Sequence, residues 1–154
     1  MSLPRVGISR CLLGEAVRYD GGHKRNHVIL SAFDALVEWV PVCPEVETGM
    51  TTPREPIELT AGSDGVRVIG QITGIDWTEP LATFASRRVA ELEGLELSGY
   101  VLKSRSPSCG LEGPGLFARA LLAAMPGLPI EDERRLQDEA VRQRFLSRVL
   151  AYRG

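Results

Sequence analysis

Arg5-Val6-Gly7-Ile8-Ser9, running without a break into Arg10-Cys11-Leu12-Leu13-Gly14, is the stretch on which the architecture turns. Val6 and Ile8 alternate with small or polar neighbours, the pattern of a short strand, and the chain leaves that strand into a cysteine. The arrangement recurs twice. Trp39-Val40-Pro41-Val42 reads as a second strand ending at Cys43-Pro44-Glu45, and Tyr100-Val101-Leu102 as a third, entering Lys103-Ser104-Arg105-Ser106-Pro107-Ser108-Cys109-Gly110.

The segments between these strands read differently. From His27 the apolar positions Ile29, Leu30, Phe33, Leu36 and Val37 recur at helical spacing. Gly49-Met50-Thr51-Thr52-Pro53-Arg54-Glu55-Pro56 holds two prolines that exclude a helix and favour an extended loop. Ser63-Asp64-Gly65 is turn chemistry between two apolar runs, so a hairpin is predicted from about Ile57 to Ile69. Thr78 stands as an N-cap before a helix through Leu81, Phe84, Val89 and Leu92, with Gly94 as its stop. Two more helices are predicted: Leu116 to Ala124, and Asp132 to about Tyr152 with Leu136, Ala140, Phe145 and Val149 on one face. Strands alternating with helices predict an α/β fold, a three-layer, Rossmann-like parallel sheet with helices on both faces and a small hairpin insertion. Such sheets bind ligands beyond the carboxyl ends of their strands, where all three cysteines fall.

Composition narrows the function. The 154 residues carry a formal charge of −2, with 44% apolar and 25% charged side chains, enough for one packed domain over residues 1–154. An odd count of three cysteines excludes a disulfide framework. The near-neutral balance gives no bulk electrostatic reason to bind nucleic acid, and no run approaches the roughly 18 apolar residues of a membrane span. Neither nucleic acid nor membrane is expected as a partner, and the chain is read as cytoplasmic, with its thiols reduced.

Three thiolates on one rim suit a soft metal or an iron–sulfur cluster. Zinc with Cys11, Cys43, Cys109 and one further ligand fits the same count, although zinc sites usually take cysteines in close pairs, which are lacking here. On a four-iron cubane, three thiolates leave one iron open, as a catalytic site needs. Glu45, in a partly desolvated pocket, is the candidate proton donor or acceptor; the alternative is an ion pair with Arg10, Arg18 or Arg54. Ser106, held extended by Pro107, can present its hydroxyl inward, whereas Ser104 and Ser108 equally suit a loop that satisfies its own backbone. Arg54 can bind an anion or a pyrimidine carbonyl oxygen, or tie one loop to another. The basic cluster His23-Lys24-Arg25-Asn26 near a helix start reads as a solvated surface or a phosphate contact.

Five segments together resemble the successive blocks of the family known as domain of unknown function 523, whose characterised members are thiouracil desulfidases. They are Ser9-Arg10-Cys11-Leu12-Leu13-Gly14, Arg18-Tyr19-Asp20-Gly21-Gly22, Pro41-Val42-Cys43-Pro44-Glu45, Thr52-Pro53-Arg54-Glu55-Pro56 and Lys103 through Gly110. The resemblance implies that Cys11, Cys43 and Cys109 hold a 4Fe-4S cluster whose fourth iron has no protein ligand, and that Glu45 and Ser106 are the catalytic polar residues. Arg54, Lys103, Ser104 and Ser108 are assigned to substrate binding. The implied reaction removes sulfur from a thiolated nucleobase of 2- or 4-thiouracil type, giving hydrosulfide without net redox change.

Beyond Cys109 the sequence is similar to a longer branch, in which this domain is fused to a second, helical one. That helical partner is expected in trans if it is needed. The competing reading is an iron–sulfur or zinc-binding regulatory or partner module without desulfidase activity.

Overall fold

The computed structural model describes residues 3–62, 65–106, 109–110 and 115–152. In chain order the elements are β1 (Arg5–Ser9), α1 (His27–Phe33), β2 (Glu38–Val42), α2 (Pro44–Thr48), β3 (Ile57–Gly62), β4 (Gly65–Gly70), α3 (Thr78–Gly94), β5 (Gly99–Leu102), α4 (Leu116–Ala124), β6 (Ile130–Asp132) and α5 (Glu139–Ala151). Short 3-10 turns cover Arg10–Leu13 and Arg135–Gln137.

Strands β2, β1, β5 and β6 lie side by side in that order, all parallel. Alternation along the strands sends Val6, Ile8 and Val101 to one face, where they pack with Ile29 and Phe33 of α1 and Phe145 and Val149 of α5. Tyr100 and Leu102 go to the other face, against Phe84, Val89 and Leu92 of α3 and Phe117 and Leu121 of α4. The three layers follow from a rule of handedness. A parallel crossover keeps one hand, so the step from β1 to β2 and the opposite step from β2 to β5 put their helices on opposite faces. Each wholly buried Leu, Ile or Phe in these layers contributes about 1.5–3 kcal/mol of transfer free energy.

Gly7 is required by this packing. It pairs with Tyr100 across the sheet, and a Cβ on it would lie 2.2 Å from Tyr100 Cε2. The hairpin β3–β4 forms a separate antiparallel pair, Ile57 opposite Gly70, closing over Met50, Val68 and Leu81. The predicted turn at Ser63-Asp64 lies outside the described residues. No helix among the described residues is long and apolar enough to cross a membrane.

Two local expectations are corrected, and one short helix is added. Thr78 does not cap α3: its Oγ1 accepts from the Val68 amide at 2.8 Å, tying the helix to the hairpin, while Asp76 Oδ1 accepts from the Thr78 amide at 2.9 Å. The last helix starts at Glu139, not at Asp132. Ile130–Asp132 is a strand beside β5, Leu136 is buried from a 3-10 turn, and Asp138 is the cap, accepting from the Ala140 amide at 2.8 Å. Ala140 is consequently exposed. Finally, the residues after Cys43 form the short helix α2, with Pro44 in its first turn, where proline's missing N–H costs nothing.

Candidate metal and catalytic site

The carboxyl ends of β1, β2 and β5 deliver the three cysteines to one edge of the sheet. Cys11 sits in the 3-10 turn that follows Ser9, Cys43 immediately follows Val42, and Cys109 lies beyond the Lys103–Ser106 turn. Cys11 and Cys109 are buried and Cys43 is half-buried, all as free thiols. They sense one another. Burial pushes the Cys11 thiol up to about 11, with Lys103 opposing and the Cys43 charge adding. Burial likewise raises Cys109, opposed by a hydrogen bond from Ser9 and reinforced by Cys43, Glu45 and Cys11. Cys43 rises for the same first reason. Beneath the rim is the wholly buried Tyr100 hydroxyl, pushed up by burial and then by Cys109 and Glu47.

Three thiols that burial keeps protonated form a donor set that a bound cation would deprotonate. Among the described residues no group of three His, Cys, Asp or Glu side chains closes on a single ion. Zinc would need its donors around one point, whereas a cubane spreads its thiolates over separate irons.

Glu45 opens α2 and its Oε1 accepts from Arg54 Nε at 3.0 Å, with the two side chains only 12% and 7% exposed. Arg54 is a clasp. Its Nη1 donates to Thr51 O and Thr52 Oγ1, both at 3.1 Å, its Nη2 to Val17 O at 2.9 Å, and its amide to Tyr19 O at 2.6 Å. The ion pair and the loop tie weighed from sequence are therefore one interaction. Arg54 also lines a cavity of ≈ 250 Å³ with Met50, Ile57 and Trp77, which none of the cysteines touches.

On the β5 side, Ser106 Oγ accepts from the Cys109 amide at 3.1 Å. Ser106 O accepts from the Gly110 amide at 2.9 Å, in a turn that follows Arg105 at φ 58°. Ser104 donates its amide and hydroxyl to Glu133, at 2.6 and 2.9 Å, and Lys103 Nζ lies 3.2 Å from the same carboxylate. Ser108 lies outside the described residues. The basic cluster is partly spent on this region: Lys24 N donates to Cys11 O at 2.9 Å, Arg25 Nη1 to Leu13 O at 3.3 Å, and Asn26 caps α1.

Three residues at the site went unassigned from sequence. Ser9 accepts from the Lys103 amide at 2.9 Å, Glu47 accepts from the Cys43 amide at 2.7 Å, and Glu133 holds the Lys103-Ser104 turn. Only Glu47 carried a local signal, a carboxylate one turn beyond a proline helix start.

Comparison with known proteins gives three findings. A family model described as 2-thiouracil desulfurase matches residues 6–133. The uncharacterized protein YbbK of Bacillus subtilis (strain 168) is 35% identical over 108 residues, 67% of this chain and 71% of that protein. Among solved structures, the 4Fe-4S-dependent thiouracil desulfidase TudS is similar at a TM-score of 0.69 and 28% identity, covering 92% of this chain and 98% of its own.

Proposed function

The chain belongs to the 2-thiouracil desulfurase family, and from that premise we propose that it is a 4Fe-4S-dependent desulfidase acting on a thiolated nucleobase of 2- or 4-thiouracil type. In the reaction water supplies the oxygen that replaces sulfur on the ring carbon, and sulfur leaves as hydrosulfide with a proton. The carbon keeps its oxidation level, so no electron donor is consumed. The observation that carries this reading is the arrival of Cys11, Cys43 and Cys109 on one buried rim from three adjacent parallel strands.

Cys11, Cys43 and Cys109 would hold the cluster, which when bound supplies a Lewis-acidic iron with an open position for a soft sulfur. Glu45 holds and moves the proton of the attacking water at its carboxylate, kept in place by Arg54. Ser106, whose hydroxyl oxygen accepts from the Cys109 amide, is the second catalytic polar residue and sits against the third cysteine. Lys103, whose charge reaches Cys11, Ser104 and Ser108 are assigned to substrate binding, the ammonium stabilising a ring oxygen or the departing anion. The assignment supports a cytoplasmic enzyme, where thiols stay reduced.

Anaerobic reconstitution with iron and sulfide counting, followed by hydrosulfide release from 2-thiouracil and 4-thiouracil, tests both halves. The wild type should load and turn over, Cys43→Ser should fail to load, and Glu45→Gln should load without turnover. A protein that stays colourless refutes the cluster; a loaded protein that releases no hydrosulfide refutes the substrate.

A further inference from the structure

Glu47 touches both ligand-bearing loops at once. Its Oε2 accepts from the Cys43 amide at 2.7 Å and lies 3.5 Å from Arg10 Nη2, and Arg10 is the residue before Cys11. Its Oε1 lies 3.3 Å from Nε of Arg88 on α3. The carboxylate is 19% exposed, Arg10 28% and Arg88 19%. The Nε atoms of both arginines are sealed from solvent without a hydrogen bond among the described residues. Glu47 sits against both: removing it would take from the largely buried Arg10 its carboxylate partner and leave Arg88 only Glu91, to which its Nη1 donates at 3.3 Å.

A helix cap alone does not account for this arrangement. Satisfying the Cys43 amide needs one acceptor oxygen; it does not need a full negative charge between two arginines from distant segments. The array joins the end of β2, the turn after β1 and the long helix α3 at one point beside two of the three thiols.

We propose that Glu47 is a positioning residue for the cluster: it fixes the Cys43 loop against the Cys11 loop and so governs how firmly the thiolates retain iron. The inference rests on the cluster reading above. Ligands hold a cluster only as well as their loops hold the ligands apart at the required spacing, and groups behind the ligands carry much of that rigidity.

The test uses the anaerobically loaded full chain as wild type, Glu47→Gln, Glu47→Ala and a remote control, Asp76→Ala, which breaks the ion pair with Arg67 far along the chain. Iron release to a ferrous chelator is timed by the visible spectrum, and the melting temperature of each cluster-free protein is recorded beside it. Glu47→Ala should release iron roughly 10- to 100-fold faster than wild type. Glu47→Gln, which keeps an acceptor for the Cys43 amide but loses the charge, should fall between them. Asp76→Ala should lower the melting temperature and leave iron release unchanged. Glu47 variants that release iron at the wild-type rate, or a control that accelerates release as much as they do, overturn the proposal while leaving the cluster intact as a reading. If Glu47→Ala does not fold, the comparison of Glu47→Gln with wild type decides. A wild type that takes up no iron refutes the cluster reading and this proposal with it.

Discussion

Arg54 Nε donates to Glu45 Oε1 at 3.0 Å across a separation of nine residues, so the side chain proposed to move protons is held by the same guanidinium that closes the loops at Val17 and Thr51. Arg54→Ala removes one partner of a largely buried pair, and the expected destabilisation is about 3 kcal/mol, read from the urea midpoint. Arg54→Lys keeps the charge but not the fork. It should recover part of the stability while turnover on thiouracil stays depressed, because the ammonium cannot hold Glu45 and both loops together. Equal recovery of stability and turnover would show that a single charge suffices to hold Glu45 and that the fork is not required.

Gly7 and Tyr100 give a steric prediction. A methyl group at Gly7 would sit 2.2 Å from Tyr100 Cε2, and both neighbours are locked in register by the sheet. Gly7→Ala should cost about 1–3 kcal/mol, typical of an overpacked core. Tyr100→Leu opens the same space and is costly alone, so the double variant should lose less than the sum of the singles. Additive losses would show that the ring moves aside freely.

The strands that carry the cysteines were legible because their signal is local: β-branched and aromatic residues in short runs, each followed by polar turn chemistry. β6 was not. Its three residues include two carboxylates, and Ile130 becomes part of a strand only by lying beside Tyr100, a partner that no local pattern announces. The same division holds at the site. Cys11, Cys43, Cys109, Glu45 and Arg54 could be picked out from residue type and neighbourhood. Ser9 and Glu133 could not, since each acts through a contact to the Lys103-Ser104 turn across separations of 94 and 29 residues. The late start of α5 has a physical reason too: Asp132 binds the Arg135 amide at 2.9 Å and diverts the chain into a 3-10 turn before Asp138 can cap the helix.

Asp76 supplies a dependence on pH. Hydrogen bonds from Thr78, and then the Arg67 guanidinium, pull its carboxyl from 3.8 down to about 2. A pKa depressed by folding means that the unfolded chain binds the proton first, so the stabilisation is fully present above 3.8 and is lost as the pH falls through about 2. Asp76→Asn should melt below the wild type at neutral pH, and the gap should narrow across that window and close beneath it. The carboxylate is exposed to solvent, which keeps the gap small. A gap that does not change with pH would mean that Asp76 acts through geometry alone.

Glu133 gives the strongest coupling outside the cysteine rim. It accepts from the Ser104 amide at 2.6 Å and the Ser104 hydroxyl at 2.9 Å, and it pairs with Lys103 Nζ at 3.2 Å. Lys103 Nζ also donates to Ser104 O at 2.7 Å, so the turn is fastened twice. Glu133→Ala leaves a buried amide and a buried hydroxyl without their acceptor and takes from a mostly buried ammonium its counter-charge, and the expected cost is about 3–5 kcal/mol. Glu133→Gln keeps one acceptor oxygen for Ser104 but loses the second acceptor and the charge facing Lys103, so it should cost less than Glu133→Ala. In a double-mutant cycle with Ser104→Ala the two losses should fall short of additivity by about 0.5–3 kcal/mol. Strict additivity would mean that the bond from the Ser104 hydroxyl contributes nothing to stability and that Glu133 acts through the Ser104 amide and Lys103.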